Sequence, residues 1–166
     1  MRFTVGSGSK VVVSARSSIH DTRTLWDSVE GTIELDPDDP AADARAELRV
    51  DMRRHDAGDF LRNRKVKKDL EVDRYPEARF VLDRLDEVIR DGERFRARAR
   101  GVIEWHGKKV AVEAQGEAEI GGGALRATGR FDLDVRDLGV QPPRFFVFKV
   151  EDVVTVEVTI AARTGS

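Results

Sequence analysis

Over long stretches of this chain, polar and apolar residues alternate one by one. In "RFRARARG", Arg94, Arg96, Arg98 and Arg100 are separated by Phe95, Ala97 and Ala99. The following "KKVAVEAQGEAEI" sets Val110, Val112 and Ala114 on one face and Glu113, Glu117 and Glu119 on the other. A period of two marks a strand with one buried face. His106-Gly107 lies between the two runs and is the right length for a two-residue hairpin turn. That turn puts Arg100 opposite Glu113, Arg96 opposite Glu117, Arg94 opposite Glu119, Glu104 opposite Lys109 and Arg98 opposite Gln115. Opposite charges facing each other across a sheet contribute about 0.2–1 kcal/mol per pair, and like charges cost a similar amount. The arginine row therefore reads as a solvent-facing ladder, not as a comb for a nucleic-acid backbone.

The same alternation predicts further strands. In "VEGTIELD", Val29, Ile33 and Leu35 share a face; in "ARAELRVDM", Ala44, Ala46, Leu48, Val50 and Met52 do. The loop "DPDDPAAD" joins them, and the register that sets Glu34 against Arg45 and Glu30 against Arg49 avoids facing carboxylates. "KVVVSAR" alternates weakly through Val11, Val13 and Ala15, and a strand is expected after Pro76. "ALRATGRFDLDVRDL" alternates from Leu125 to Val135 and follows the turn Gly121-Gly122-Gly123; "VVTVEVTIAA" carries Val154, Val156, Val158 and Ile160 on one face. Only residues 59–72 read as a helix, with Asp59 as N-cap and Val66 and Leu70 one turn apart. "MRFTVGSGSK" reads as polar and turn-rich, and "ARTGS" as a frayed tail. The fold class is all-β: a single domain over 1–166, an antiparallel sandwich or barrel with one helix.

The inward residues are small where the two best hairpin strands meet. Ala97 falls opposite Gly116 and Ala99 opposite Ala114, with Ala118, Ala127 and Gly129 nearby. A closed barrel of about eight strands is either filled by its side chains or holds one ligand. The pattern leaves both outcomes open, because Trp26, Phe60, Trp105 or the "FFVF" run could fill the space.

Charge and chemistry narrow the function. Charged residues make up 36% of the chain, but 29 basic residues nearly balance 31 acidic ones, for a net charge of −2. That balance gives no general attraction to nucleic acid. There is no cysteine. The N-terminus lacks a signal-peptide pattern, and no apolar run approaches the roughly 20 residues of a membrane helix; a cytoplasmic protein is expected. His20, His55 and His106 are scattered without metal-ligand spacing, so neither a metal nor a cofactor is expected. Ser17 and Ser18 near His20 lack an organised acid and oxyanion site, and no catalytic constellation is expected. The run "RNRKVKK" reads as a solvated helix face. Its sharper alternatives are docking on an anionic membrane through Arg62, Arg64, Lys65, Lys67 and Lys68, or holding a diphosphate head group at a barrel mouth.

Several motifs occur together in order. "DLEVDRYPEARF" is a helix end followed by a strand, "GVIEWHGKKVAV" a hairpin with the pattern G-x-x-x-x-H-G, and "DVRDLGVQPPRFFVFKVEDVVTVEV" a late loop with the last strand. With "DPDDP" and "SSIHDTR", they resemble the YceI-like proteins of bacteria across nearly the whole chain, in a subgroup without signal peptides. The resemblance implies a lipocalin-like antiparallel β-barrel of about eight strands with a helix near its mouth. Some members of that family carry a polyisoprenoid, such as a quinone or prenyl lipid, in the lumen. The leading expectation is accordingly a non-catalytic carrier of an apolar small molecule or lipid, with no nucleic-acid partner. Its expected lining is Val13, Ala97, Ala99, Val112, Ala114, Gly116, Ala127, Phe131, Val156 and Val158, capped by Phe60, Leu61 and Val66. A filled barrel acting as a protein-interaction or stress-response module, through an aromatic patch at "PPRFFVFKV", is the alternative. An enzyme with a histidine or carboxylate in the lumen is a third, and a second copy of the chain is a candidate partner.

Overall fold

The computed structural model describes residues 1–16, 21–140, 144–145, 148–149 and 152–164. The chain opens with β1 (Arg2–Val5), β2 (Lys10–Ala15), β3 (Thr22–Trp26), β4 (Val29–Glu34), β5 (Arg45–Asp51) and β6 (His55–Asp56). Helix α1 (Phe60–Asp69) follows, then the long strands β7 (Glu77–Asp91), β8 (Arg94–Trp105), β9 (Lys108–Gly121) and β10 (Ala124–Asp134). A 3-10 turn (Val135–Leu138) and the short pair β11 (Arg144–Phe145) and β12 (Phe148–Lys149) lead into β13 (Val153–Thr164).

The strands close into a ring. β13 pairs with β10 on one side; on the other it pairs with β2, where Val156 faces Val13, and with β1, where Phe3 faces Thr164. β1 pairs with β4 and β2 with β3, so β1–β2 and β3–β4 are two long strands, each interrupted once. The ring continues through β5, β7, β8 and β9, giving an eight-stranded antiparallel barrel. Closure removes the unpaired edges that an open sheet of this size would expose.

Both predicted registers are present. Arg94 to Trp105 faces Glu119 to Lys108 pair by pair, and Glu30 and Glu34 face Arg49 and Arg45. His106 and Gly107 have φ of 54° and 69°, the positive values a type I′ turn needs. The ladder forms ion pairs at Arg94–Glu119 (3.3 Å), Arg100–Glu113 (3.4 Å) and Lys109–Glu104 (3.6 Å). Arg98, opposite the neutral Gln115, reaches diagonally to Glu113 (2.8 Å) and Glu87 (3.2 Å). Arg96 and Glu117 face each other without an ion pair within 4 Å.

Three expectations are corrected, and one strand, β3, is additional. Residues 2–5 form a strand rather than a turn-rich leader, and Phe3 is fully buried. β3 exists although its "TRTLW" shows little alternation. The supposed tail is strand through Thr164, held by a hydrogen bond from its amide to the Gly123 carbonyl. The helix stops at Asp69, earlier than expected, because Leu70 is its C-cap and Glu71 takes a positive φ of 50°. Its start is as expected: the Asp59 side chain accepts from the Arg62 amide at 2.8 Å.

On the outer face, Arg79 bridges Glu47 (3.1 Å) and Glu104 (3.2 Å) across three strands. The hydrogen bond from Arg79 holds the Glu47 carboxyl below its ordinary pKa; Arg84 does the same for Asp86 and Arg53 for Asp51. A lowered native value means the unfolded chain takes up protons first. The stabilisation is therefore complete above the ordinary carboxylate range and is lost as pH falls through the native values. The urea midpoint should stay level from pH 7 to about 5 and drop below about 4. Glu47→Gln should make that drop shallower; an unchanged acid limb would show that this exposed pair contributes nothing, as many do not.

Candidate functional site: the barrel lumen

Two apolar clusters lie toward opposite ends of the barrel. One gathers Phe3, Val5, Ile33, Phe95, Leu125 and Ile160, all buried. The other gathers Trp26, Met52, Val72, Trp105, Leu138 and Val140. Between them the sequence supplies Ala97, Ala99, Ala114, Gly116, Ala127 and Gly129, too small to meet across the barrel. The result is a cavity of about 330 Å³, near the lower end of the roughly 300–1,000 Å³ typical of small-molecule sites. The side chains of this belt point inward yet are only half-buried, because the space in front of them is open.

The described residues give the lumen an apolar surface. Arg79, Glu117 and Thr128 lie on its wall, but the alternation of their strands turns their side chains outward, and Arg79 is engaged with Glu47 and Glu104 on the outer face. Both indole N–H groups at the tryptophan end are already spent: Trp26 donates to the Met52 carbonyl (3.1 Å) and Trp105 to the Tyr75 carbonyl (2.9 Å). Among the described residues, none in the middle of the lumen offers a hydrogen bond from its side chain. Such a space accepts hydrocarbon readily, whereas a polar group entering it loses water without compensation, at about 2–7 kcal/mol.

The tryptophan end is where the helix joins the barrel. His106, in the β8–β9 turn, donates from Nε2 to the Leu70 carbonyl (2.6 Å), stacks on Tyr75 at 4.1 Å and meets the edge of Trp105 at 4.2 Å. His55 turns its two ring nitrogens to the carbonyls of Met52 (3.3 Å) and Asn63 (3.0 Å), fixing β6 against the helix. These two histidines have structural partners. Among the described residues no three His, Cys, Asp or Glu side chains form a group that could hold a metal ion.

Of the expected lining, Val13, Ala97, Ala99, Ala114, Gly116, Ala127, Phe131, Val156 and Val158 line the cavity. Val112 is buried but does not border it. Val66 packs on the tryptophan cluster, and the helix adds Leu70 to the wall. Phe60 and Leu61 correct the expected cap: they are 76% and 74% exposed. At about 100° per residue, Leu61 lies about 140° and Phe60 about 120° around the helix from Val66, so they cannot share its inward face. Sequence reasoning missed Leu48, Phe80, Leu82, Leu85, Trp26 and Trp105 as wall residues. The alternation of β5 could have found Leu48 and that of early β7 Phe80 and Leu82, whereas Leu85 lies beyond the register shift after Leu82. Ser17, Ser18, His20 and the side chains of the "PPRFFVFKV" run lie outside the described residues.

A closed antiparallel barrel with an apolar lumen and a helix at one end defines a lipocalin-like binding fold. The YceI-like domain matches residues 4–162, and the chain belongs to that family. Among solved structures it is similar to BcnA of Burkholderia cenocepacia, with 20% identity, 92% of this chain and 95% of that one covered, and a TM-score of 0.77. A polyisoprenoid binding domain from Saccharophagus degradans, implicated in plant cell wall breakdown, superposes with TM-score 0.77 at 13% identity over 98% of both chains. The YceI protein of Campylobacter jejuni aligns with TM-score 0.70 at 11% identity, covering 86% of this chain and 85% of that one. Among curated proteins, none matches the sequence.

Proposed function

We propose that this protein is a non-catalytic carrier that holds one apolar chain molecule, a polyisoprenoid, quinone tail or similar lipid, in its lumen. The observation that carries this reading is the belt of alanine and glycine between two apolar clusters, with no side-chain hydrogen-bonding group of the described residues directed into it. The similarity to a polyisoprenoid binding domain supports the same class of cargo. Binding would be driven by desolvation, at about 25 cal/mol per Å² of apolar surface removed from water. With no polar code inside, selectivity rests on the length and width of the hydrocarbon, and any polar head group stays outside the lumen.

Native mass spectrometry of the purified protein, followed by organic extraction, tests this directly. One apolar molecule per chain is expected. A spectrum of protein alone, with no uptake after incubation with a prenyl alcohol or a quinone, would overturn the carrier reading.

A further inference from the structure

Helix α1 presents a second surface that the lumen does not use. Phe60 and Leu61 are its first two residues and the most exposed large apolar side chains among the described residues. Counting about 100° per residue from Phe60, Arg64 lies at about 40°, Lys68 at about 80° and Leu61 at about 100°. One sector of the helix therefore carries two bare apolar groups in its first turn and two cations on the turns behind them. Val66 and Leu70, at about 240° and 280°, face the opposite way, onto the tryptophan cluster and the lumen wall.

The charge around this sector differs from that of the chain. Residues 53–68 hold seven cations (Arg53, Arg54, Arg62, Arg64, Lys65, Lys67 and Lys68) against two carboxylates, Asp56 and Asp59, in a protein of net charge −2. Arg53, Arg62, Lys65 and Lys67 are paired with Asp51, Asp59, Asp69 and Asp73. Arg54, Arg64 and Lys68 are exposed and, among the described residues, have no carboxylate within 4 Å. Exposed apolar side chains beside exposed cations on one helix face match the interfacial region of an anionic bilayer, where apolar groups enter the acyl boundary and cations meet phosphates.

We infer that α1 docks the barrel on an anionic phospholipid surface, with Phe60 and Leu61 inserted and Arg64 and Lys68 on the head groups. The surface is separate from the lumen, but Leu70 at the other end of the same helix lines the cavity. Docking thus brings the tryptophan end of the barrel close to the source of an apolar cargo.

Sedimentation with vesicles tests the inference. The full chain should bind vesicles of phosphatidylcholine with one third phosphatidylglycerol at low salt, bind phosphatidylcholine alone weakly, and be released by 0.5 M NaCl. Arg64→Glu combined with Lys68→Glu should weaken binding by about 30-fold or more. Phe60→Ser combined with Leu61→Ser should weaken it by roughly tenfold or more. Because all four side chains are solvent-exposed at the helix surface, the thermal midpoint should hardly change. Equal binding by the charge-reversed variant and the unmodified protein, or no binding to the anionic vesicles at low salt, would overturn the inference. Dye uptake into the lumen is read separately. Docking by a protein that never loads would sink the carrier reading alone, and loading by a protein that never docks would sink this inference alone.

Discussion

Replacing Ala114 with phenylalanine should reduce uptake of an apolar dye at least tenfold and leave the barrel folded. Ala114 lies in the middle of β9 with its methyl group on the lumen wall, opposite Ala99 on β8. A phenyl ring added to that methyl enters open space rather than a packed core. The overpacking cost of about 1–3 kcal/mol that accompanies such changes in filled interiors is therefore largely avoided. Burial of the ring offsets what remains, at about 1.5–3 kcal/mol for a large apolar side chain. The cavity holds only about 330 Å³, so an aromatic ring at its waist takes space that cargo needs. Ala111→Phe is the control: Ala111 is three residues earlier on the same strand but exposed on the outer face. It should load as the unmodified protein does. Fluorescence titration with a hydrophobic dye, alongside circular dichroism melting, reads both properties. Full uptake by the Ala114 variant with an unchanged melting curve would remove the lumen as the binding site.

How far the sequence revealed this arrangement depends on how local each cause is. The β8–β9 hairpin was legible to the residue because three independent signals agree there: alternation, a two-residue turn and complementary charge. The β4–β5 register was legible from charge alone, across a longer loop. The small residues of the belt on β8 and β9 followed from the hairpin register, and with them only part of the wall. What was not legible depends on contacts far apart in the chain. β1 contributes only Phe3 and Val5 before a Gly-Ser stretch, and two apolar positions cannot announce a strand. It is one because β4 and the end of β13 offer it partners on both sides. In β7, Phe80 and Leu82 precede the first register shift and alternate with Ala78, whereas Leu85 follows a shift, and at the second shift Glu87 takes a φ of 52°. Each shift reverses which residues face inward, so a strict period of two assigns the wrong side chains. Phe60 and Leu61 misled in the opposite sense. Hydrophobicity suggested a cap, while the helical angle places them away from the barrel.

Gly31→Ala is expected to be among the most damaging single-methyl changes in the protein. Gly31 sits inside β4 with a φ of 151° and faces Val5 on β1 and Leu48 on β5, so it belongs to the closure of the barrel on both sides. A Cβ built at this position would overlap the backbone carbonyl of Glu47, with Leu48 Cα at 3.0 Å. A rotating side chain could yield, but a paired strand cannot move without disturbing its own ladder. The backbone conformation adds a second penalty, because side-chain-bearing residues rarely adopt it. Strain of about 1–3 kcal/mol from the dihedral and a similar amount from the overlap point to a loss on the order of 3 kcal/mol or more. For a chain of this size that lowers the thermal midpoint by roughly 6–12 °C. Gly122→Asn supplies the comparison. Gly122 also has a positive φ, 59°, but an added Cβ there meets nothing within 4 Å, and asparagine tolerates this region. Its midpoint should move by no more than about a third as much. Equal shifts for the two variants would show that φ alone sets the cost and that the close approach of β4 to β5 does not constrain the barrel. A much larger shift for Gly31→Ala would place the constraint at that approach. There β1, β4 and β5 meet beside the apolar cluster that contains Phe3 and Ile33.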